Sequence, residues 1–391
     1  MKKAGTFYSN AGHLNLEKVK GFKMINPPVQ SGSTVLFKDY EALFQASQGK
    51  YKGIYYGTEG TPTQFFFESA MTEIEGGYRT QALPSGINAI VTVLLAYTQS
   101  GDHILVCDNI YGPTRDYCTQ ILPKFGVQTD FIPSDVGESI TEFIKLNTRL
   151  IFLESPGSNT FEIQDIPAVT KIAQEKEIIT VLDNTWATPL YLKPFELGVD
   201  VSIHSVTKYI SGHSDVLMGT VTTNEKFAQP FFRYCRIAEL NTSQNDCYLS
   251  LRGLRTLPVR LKHHEQAALE IARWLGNLDI IDQVLHPALP DHPQHDLWKR
   301  DFKGSTGLFG FTLKKELTKD QIAVFVNSLT LFGIGFSWGG FRSLVTVGHY
   351  SRNHNSPYRD RNIYRLYIGM DEAEDVKADL EFAFNQLKMH F

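Results

Sequence analysis

The sequence predicts an α/β protein with a large domain built on a mostly parallel sheet flanked by helices, plus a smaller C-terminal α/β domain. Two observations carry this prediction. Short runs of Val, Ile and Leu alternate with helix-period segments, the pattern of strands buried on both faces and joined by crossover helices. From about Leu251 the chain turns to long amphipathic helix and then to a second set of apolar segments. At about 150 residues per domain, a chain of 391 corresponds to two or three folding units. We delimit an N-terminal arm at 1–60, a large domain at 61–250 and a small domain at 251–391.

The arm is rich in Gly, Asn, Tyr and Lys without a sustained period, so it is expected to be extended and to lean on something else, in an oligomer a neighbour. The first clear helix opens at Ser85-Gly86. Ile87, Ile90, Val91, Leu94 and Leu95 follow the i, i+3, i+4, i+7, i+8 spacing, with Ser85 as N-cap. His103 to Cys107, Leu150 to Leu153, Ile178 to Leu182 and Val199 to Ile203 read as buried strands, and Pro167 to Glu177 as an intervening helix capped by Asp165. Ligands on such sheets bind at the carboxyl ends of the strands. Those ends are polar here: Asp108-Asn109, the run from Glu154 to Ser158, Asp183-Asn184, and the run from Ser205 to Lys208. Beyond the long helix come a turn-rich stretch from His286 to Asp301 and apolar segments at Leu308 to Leu313 and Ser343 to Val347, with no internal repeat.

Composition narrows the function. Lys+Arg of 38 against Asp+Glu of 42 gives a net charge of -4, which argues against nucleic acid and anionic membranes and leaves a small molecule as the expected partner. The longest apolar segment, Ala89 to Tyr97, is interrupted by Thr92 and is far shorter than the roughly 20 residues a bilayer requires. Four cysteines without C-x-x-C spacing argue against a disulfide framework and a thiolate zinc site, and fit a reducing cytoplasm. Met1-Lys2-Lys3 is followed by no apolar stretch, so no signal peptide is expected.

The most informative pair is Asp183 with Lys208, each just past a strand, the lysine surrounded by Ser205, Thr207, Ser211 and Ser214. A lysine that forms a Schiff base must be able to lose its proton, and the aldehyde cofactor pyridoxal phosphate needs a carboxylate beside its ring nitrogen. Spacing alone also fits two solvated side chains. Ser85-Gly86-Ile87 at a helix N-terminus, with Ser205 and Thr207, offers hydroxyls and N–H groups for a phosphate, or simply a capped helix. Gly335 to Gly339 matches G-x-S-x-G, but Gly340 and the run Val345-Thr346-Val347 predict a strand where a nucleophile elbow needs a helix. His286, His292 and His295 lie among prolines with no completing cluster, so no metal is expected. No early G-x-G-x-x-G marks a nicotinamide site, and Cys107 reads as a buried small hydrophobe.

Tyr56-Gly57, Ser85-Gly86, Tyr111, the runs 152–158, 183–187, 205–209, 212–215, 286–290 and 337–340, and Arg365 occur in the order of the cysteine/methionine-metabolism family of pyridoxal-phosphate enzymes. The chain resembles that family over essentially its whole length. The resemblance implies pyridoxal-phosphate fold type I, a cofactor-binding large domain, and a homotetramer built from dimers with shared active sites. It implies that Lys208 is the Schiff-base lysine, Asp183 the partner of the ring nitrogen and Tyr111 the aromatic stacked on the ring. Ser85, Gly86, Ile87, Ser205 and Thr207 fall on phosphate-binding positions, Tyr56 on a tyrosine supplied by a neighbouring subunit, and Arg365 on the arginine that clamps the substrate α-carboxylate. Lys208, Tyr111 and Tyr56 form the implied catalytic set, and Ser337 and Trp338 join Arg365 and Tyr111 against substrate.

The Ser337-Trp338 pair resembles the family's cystathionine β-lyases. It implies a carbon–sulfur β-lyase that converts L-cystathionine to homocysteine, pyruvate and ammonia. Cysteine desulfhydrase, γ-lyase and amino-acid racemase activities are alternatives on the same fold. Two departures stand out: Thr58 replaces an arginine that reaches the neighbouring subunit's cofactor phosphate, and Arg342 replaces a glutamate near the presumed substrate entrance. Lys52 is a candidate replacement for the first charge, and Glu59 with Arg342 for an exchanged pair. The same departures motivate a non-catalytic pyridoxal-phosphate-binding protein, against which the retention of Lys208, Asp183, Tyr111 and Arg365 speaks.

Overall fold

Fully apolar strands must be covered on both faces, and in the computed structural model they line up at the centre of one sheet. The structure describes residues 3–11, 25–51, 53–350, 352–354 and 356–389, so Lys52 and part of the N-terminal arm lie outside the described residues. The large sheet comprises β1 (Arg79–Leu83), β2 (His103–Cys107), β3 (Gln128–Ile132), β4 (Thr148–Glu154), β5 (Ile179–Asp183), β6 (Val201–Ser205) and β7 (Gly219–Thr223), in the order β1-β7-β6-β5-β4-β2-β3. Strands β3, β2, β4, β5 and β6 pair in parallel, and β7 runs antiparallel to both its neighbours. The four expected strands are β2, β4, β5 and β6, shifted by at most two residues at their ends. The sequence pattern misses β1 and β3, polar strands at the sheet edges, and β7, whose Gly-Thr-Val-Thr-Thr run is buried but not apolar. One of its threonines is paired across the sheet, the Thr222 hydroxyl lying 2.8 Å from that of Thr80 on β1.

Helices of this part are α1 (Ala4–Asn10), α2 (Tyr40–Ser47), α3 (Pro62–Glu75), α4 (Gly86–Tyr97), α5 (Gly112–Asp116), α6 (Ile166–Glu175), α7 (Thr188–Tyr191) and α8 (Glu225–Ile237). Ser85 and Asp165 cap α4 and α6 as expected, accepting the N–H groups of Asn88 and Ala168. The arm is not uniformly extended: α1 and α2 interrupt it, and Tyr8 and Ala11 are buried in this chain's own core. Both helices are too short to display a period.

Helix α9 (Gln244–Gly276) runs through position 250 without a break. Leu251, Leu254, Leu257 and Leu261 pack into the larger core, whereas Ala268, Ile271 and Leu275 belong to a second core with Phe309, Phe311, Tyr364 and Phe384. Beside that second core lies a sheet of β8 (Ile281–Leu285), β9 (Leu308–Leu313), β10 (Gly333–Ile334), β11 (Leu344–Gly348) and β12 (Ile363–Tyr367), in the order β10-β11-β12-β9-β8, with α11 (Lys319–Ser328) and α12 (Ala373–Lys388), whereas α10 (His295–Asp301) packs Leu297 and Trp298 against the larger core. No helix among the described residues is long and apolar enough to cross a membrane.

Asp200 fastens the middle of the large sheet. Its buried carboxylate accepts the Thr180 N–H and hydroxyl at 3.0 Å each and the Asn224 amide at 2.8 Å, joining β5 to the cap of α8. Asp200→Ala leaves these donors unpaired, and urea denaturation should register a loss of about 3 kcal/mol. A loss within about 0.5 kcal/mol, the range of a neutral surface substitution, would contradict this role.

Candidate active site

The carboxyl ends of β2, β4, β5 and β6 deliver Asp108, Glu154, Asp183 and Ser205 to one edge of the sheet. Lys208 follows in a tight turn, in which the Lys208 N–H donates to Ser205 O at 3.1 Å and the Gly212 N–H to Lys208 O at 2.9 Å. From the other core, the segment between β10 and β11 reaches across. Lys208 Nζ lies 2.7 Å from Ser337 Oγ and 5.4 Å from the centre of the Trp338 ring. Ser337 has a φ of +77°, a conformation that a non-glycine residue adopts at a cost. Gly339, at φ +89°, has no alternative: a Cβ there would lie 2.6 Å from the Lys208 carbonyl carbon and the Tyr209 nitrogen. The G-x-S-x-G pattern leads into β11, and the serine faces an amine rather than a histidine.

Burial lowers the Lys208 amine to about 8, the charge of Arg365 acts in the same direction, and Asp183 opposes them. Burial also pushes the Asp183 carboxyl up, against the Thr185 hydroxyl and N–H that it accepts at 2.5 and 2.9 Å. Glu154, which sequence reasoning left without a role, stands directly beside Asp183 in the β4–β5 register. Burial first and the charge of Asp183 second push its carboxyl up. It accepts the Tyr111 N–H at 2.7 Å and the Ser158 hydroxyl at 2.6 Å. The signal for Glu154 was present: like Asp183, it is a carboxylate ending an apolar strand.

Tyr111 is thereby pinned through its backbone, while its ring is half-exposed within electrostatic reach of Glu154, Asp183 and Arg365. Arg365, on β12, donates to Asn159 Oδ1 at 3.2 Å and to Ser337 O at 3.4 Å, so one serine joins the arginine to the lysine. Trp338 packs on Tyr209 with ring centres 5.2 Å apart.

The expected phosphate positions also converge. A Cβ on Gly86 would lie 2.8 Å from both Ser205 Cβ and Oγ, so the start of α4 abuts the end of β6. The Ser85 hydroxyl is engaged in capping, and the Thr207 hydroxyl donates to Met218 O at 3.2 Å and accepts its N–H at 3.1 Å. The first-turn N–H groups of Gly86 and Ile87 have no acceptor within their own helix. Tyr56 stands apart. It is half-exposed and bridges to Thr34, and nothing joins it to the Lys208 group among the described residues of this chain. Glu59 accepts the Tyr55 N–H at 3.0 Å, Arg342 is exposed, and these two form no ion pair among the described residues. His286 and His292 accept backbone N–H groups within their own turns.

Residues 9–385 match the family described as Cys/Met metabolism PLP-dependent enzyme. The chain belongs to that family. It is 36% identical over 396 residues to cystathionine beta-lyase MetC of Escherichia coli (strain K12), covering 99% of both chains. It is 39% identical over 379 residues to an L-alanine/L-glutamate racemase of Wolbachia pipientis wMel, covering 93% of both. The crystal structure of cystathionine gamma synthase from Xanthomonas oryzae pv. oryzae in complex with aminoacrylate and cysteine superposes with a TM-score of 0.90 at 28% identity, covering 100% of both chains. The fold is that of a pyridoxal-phosphate enzyme, and pyridoxal phosphate is the cofactor.

The residues present fit this group. Bare backbone at Gly86 and the start of α4 suit a phosphate, Asp183 offers a buried carboxylate, and Lys208 offers an amine already close to neutrality. A neutral amine is the nucleophile toward an aldehyde, and an amine titrating at about 8 is mostly protonated below that pH and mostly neutral above it. Cofactor uptake by the cofactor-free protein should therefore accelerate as pH rises from 6 toward 8 and level off above. A stopped-flow absorbance record that is flat across this range would contradict it.

Proposed function

We propose that the chain is a carbon–sulfur β-lyase that cleaves L-cystathionine and water to homocysteine, pyruvate and ammonia. The observation that carries the reading is the Lys208–Ser337–Arg365 arrangement, which places a base beside a carboxylate clamp. The two N–H edges of Arg365 bind the substrate α-carboxylate and hold the Cα–H bond toward Lys208. Lys208, neutral at modest cost, takes the Cα proton, and Ser337 Oγ holds its amine in line. Pyridoxal phosphate, when bound, supplies the electron-withdrawing ring that stabilises negative charge at Cα. Asp183 would hold a proton at the ring nitrogen, Tyr111 would lie against the ring, and Ser85, Gly86, Ile87, Ser205 and Thr207 would hold the phosphate. The carbon–sulfur bond then breaks, sulfur leaves with a proton as homocysteine, and water converts the remaining three carbons to pyruvate and ammonia.

Support for the β-lyase outcome comes from Trp338 beside the lysine and from the relative named as a cystathionine beta-lyase. We further read the enzyme as a cytoplasmic homotetramer, with Tyr56 completing a neighbour's site. A second reading is racemisation, favoured by the relative named as an L-alanine/L-glutamate racemase. It needs the same proton removal, followed by return of a proton to the opposite face.

Separate incubations with L-cystathionine, L-alanine and L-glutamate decide between them. The lyase reading expects equal amounts of thiol and pyruvate from cystathionine, and D-amino acids without pyruvate would overturn it. Asp183→Asn should keep the fold and lower kcat on the preferred substrate by about 10²–10³-fold, the cost of losing one preorganised electrostatic partner. An unchanged kcat would remove Asp183 from the mechanism.

A further inference from the structure

Two side chains of β12 grip the two ends of the segment that roofs Lys208. Arg365 and Tyr367 stand two residues apart on one strand, so both point to the same face. Arg365 Nη2 donates to Ser337 O at 3.4 Å, and the Tyr367 hydroxyl donates to Gly340 O at 2.6 Å. Tyr367 is fully buried, so its bond is made away from competing water.

The direction of that bond follows from its surroundings. His264 Nδ1 lies 2.8 Å from Gly369 O and 3.1 Å from Ile368 O, and a carbonyl only accepts, so this nitrogen carries the proton. Burial lowers the imidazole to about 4, which leaves Nε2 a neutral acceptor 3.3 Å from the Tyr367 oxygen. Burial also holds Tyr367 as the neutral phenol, and its one proton goes to the nearer acceptor, Gly340 O.

The two grips differ in what a substrate does to them. Where Arg365 turns its N–H groups to an α-carboxylate, its contact with Ser337 O is the one given up, since 3.4 Å already exceeds the roughly 3.2 Å of an ordinary N–H···O bond. Tyr367 packs instead on Tyr209 and His264, with ring centres 6.0 and 5.5 Å apart. Tyr209 carries Trp338 on its ring, and its carbonyl accepts Arg260 Nη2 at 2.8 Å, which fixes the turn that bears Lys208.

We infer that Tyr367 is a positioning residue for proton transfer at Lys208: its hydroxyl holds the 337–340 segment down on the amine while Arg365 is engaged with substrate. Ser337 Oγ thereby stays on Nζ, and water stays out. The inference rests on the reading of Lys208 as the reactive amine and deepens it.

The charged groups that face the amine are Arg365 from β12 and Asp183 from the large sheet, with Glu154 and Tyr111 around Asp183. Tyr367→Phe alters none of them and keeps the ring. The test follows the Lys208 amine of the cofactor-free chain by trace acetylation with acetic anhydride over a pH series, with mass mapping of the labelled peptide. Wild type should titrate at about 8. Tyr367→Phe should titrate higher by about one pH unit or more, toward the ordinary lysine value of about 10.4. In the holoenzyme, kcat of Tyr367→Phe at neutral pH should fall by about tenfold, the loss of neutral amine that such a shift implies, while KM stays within about threefold. Asp200→Ala, which loosens the sheet but not the roof, should leave the Lys208 midpoint in place. An unchanged midpoint in Tyr367→Phe, or an equal shift in Asp200→Ala, overturns the inference alone. A Tyr367→Phe chain that does not fold assigns the hydroxyl to the fold instead and overturns it as well. If wild-type Lys208 titrates as an ordinary lysine, the reading of it as the reactive amine falls too.

Discussion

Exclusion of one amine from water is the constraint on which the rest of the site depends. Lys208 leaves the sheet edge in a turn so close to the 337–340 segment that Gly339 admits no side chain, and Ser337 is bent into a left-handed conformation to meet the amine. An exposed lysine near its ordinary value of about 10.4 would be protonated at neutral pH and useless as nucleophile or base. Burial brings Lys208 to about 8, and Arg365, on the opposite side of the same serine, adds to that shift. The second core therefore supplies the roof that makes the lysine reactive.

The carboxylates at the sheet edge complement that amine. Parallel pairing sets Glu154 and Asp183 side by side, where two buried negative charges repel unless donors and cations compensate. Thr185 serves Asp183, while the Tyr111 N–H and the Ser158 hydroxyl serve Glu154. Lys208 draws Asp183 down and Arg352 draws Glu154 down, and on our reading a protonated ring nitrogen of the cofactor would add a further positive charge. The network also turns electrostatics into geometry, because the bond that satisfies Glu154 is the one that pins the Tyr111 backbone.

The central strands were legible because burial on both faces forces a continuous apolar run, as in His103 to Cys107, and the caps at Ser85 and Asp165 were legible because their chemistry is local. What the pattern missed has equally specific causes. β7 is buried yet carries three threonines, of which Thr222 pairs with Thr80 on β1, so a buried strand looks polar, and α1 is too short to show a period although Tyr8 is buried. Glu154 carried the same mark as Asp183 but lacked a lysine to draw attention to it. The contact between Lys208 and Ser337 spans 129 residues and no local rule predicts it. Its members were identified by resemblance.

Lys208, and no other lysine, is the amine that this enclosure makes reactive. Borohydride reduction of the holoenzyme, followed by proteolysis and mass mapping of the cofactor-labelled peptide, tests it directly. A single label on Lys208, present in stoichiometric amount, is expected. A label on another lysine, or none, would contradict it.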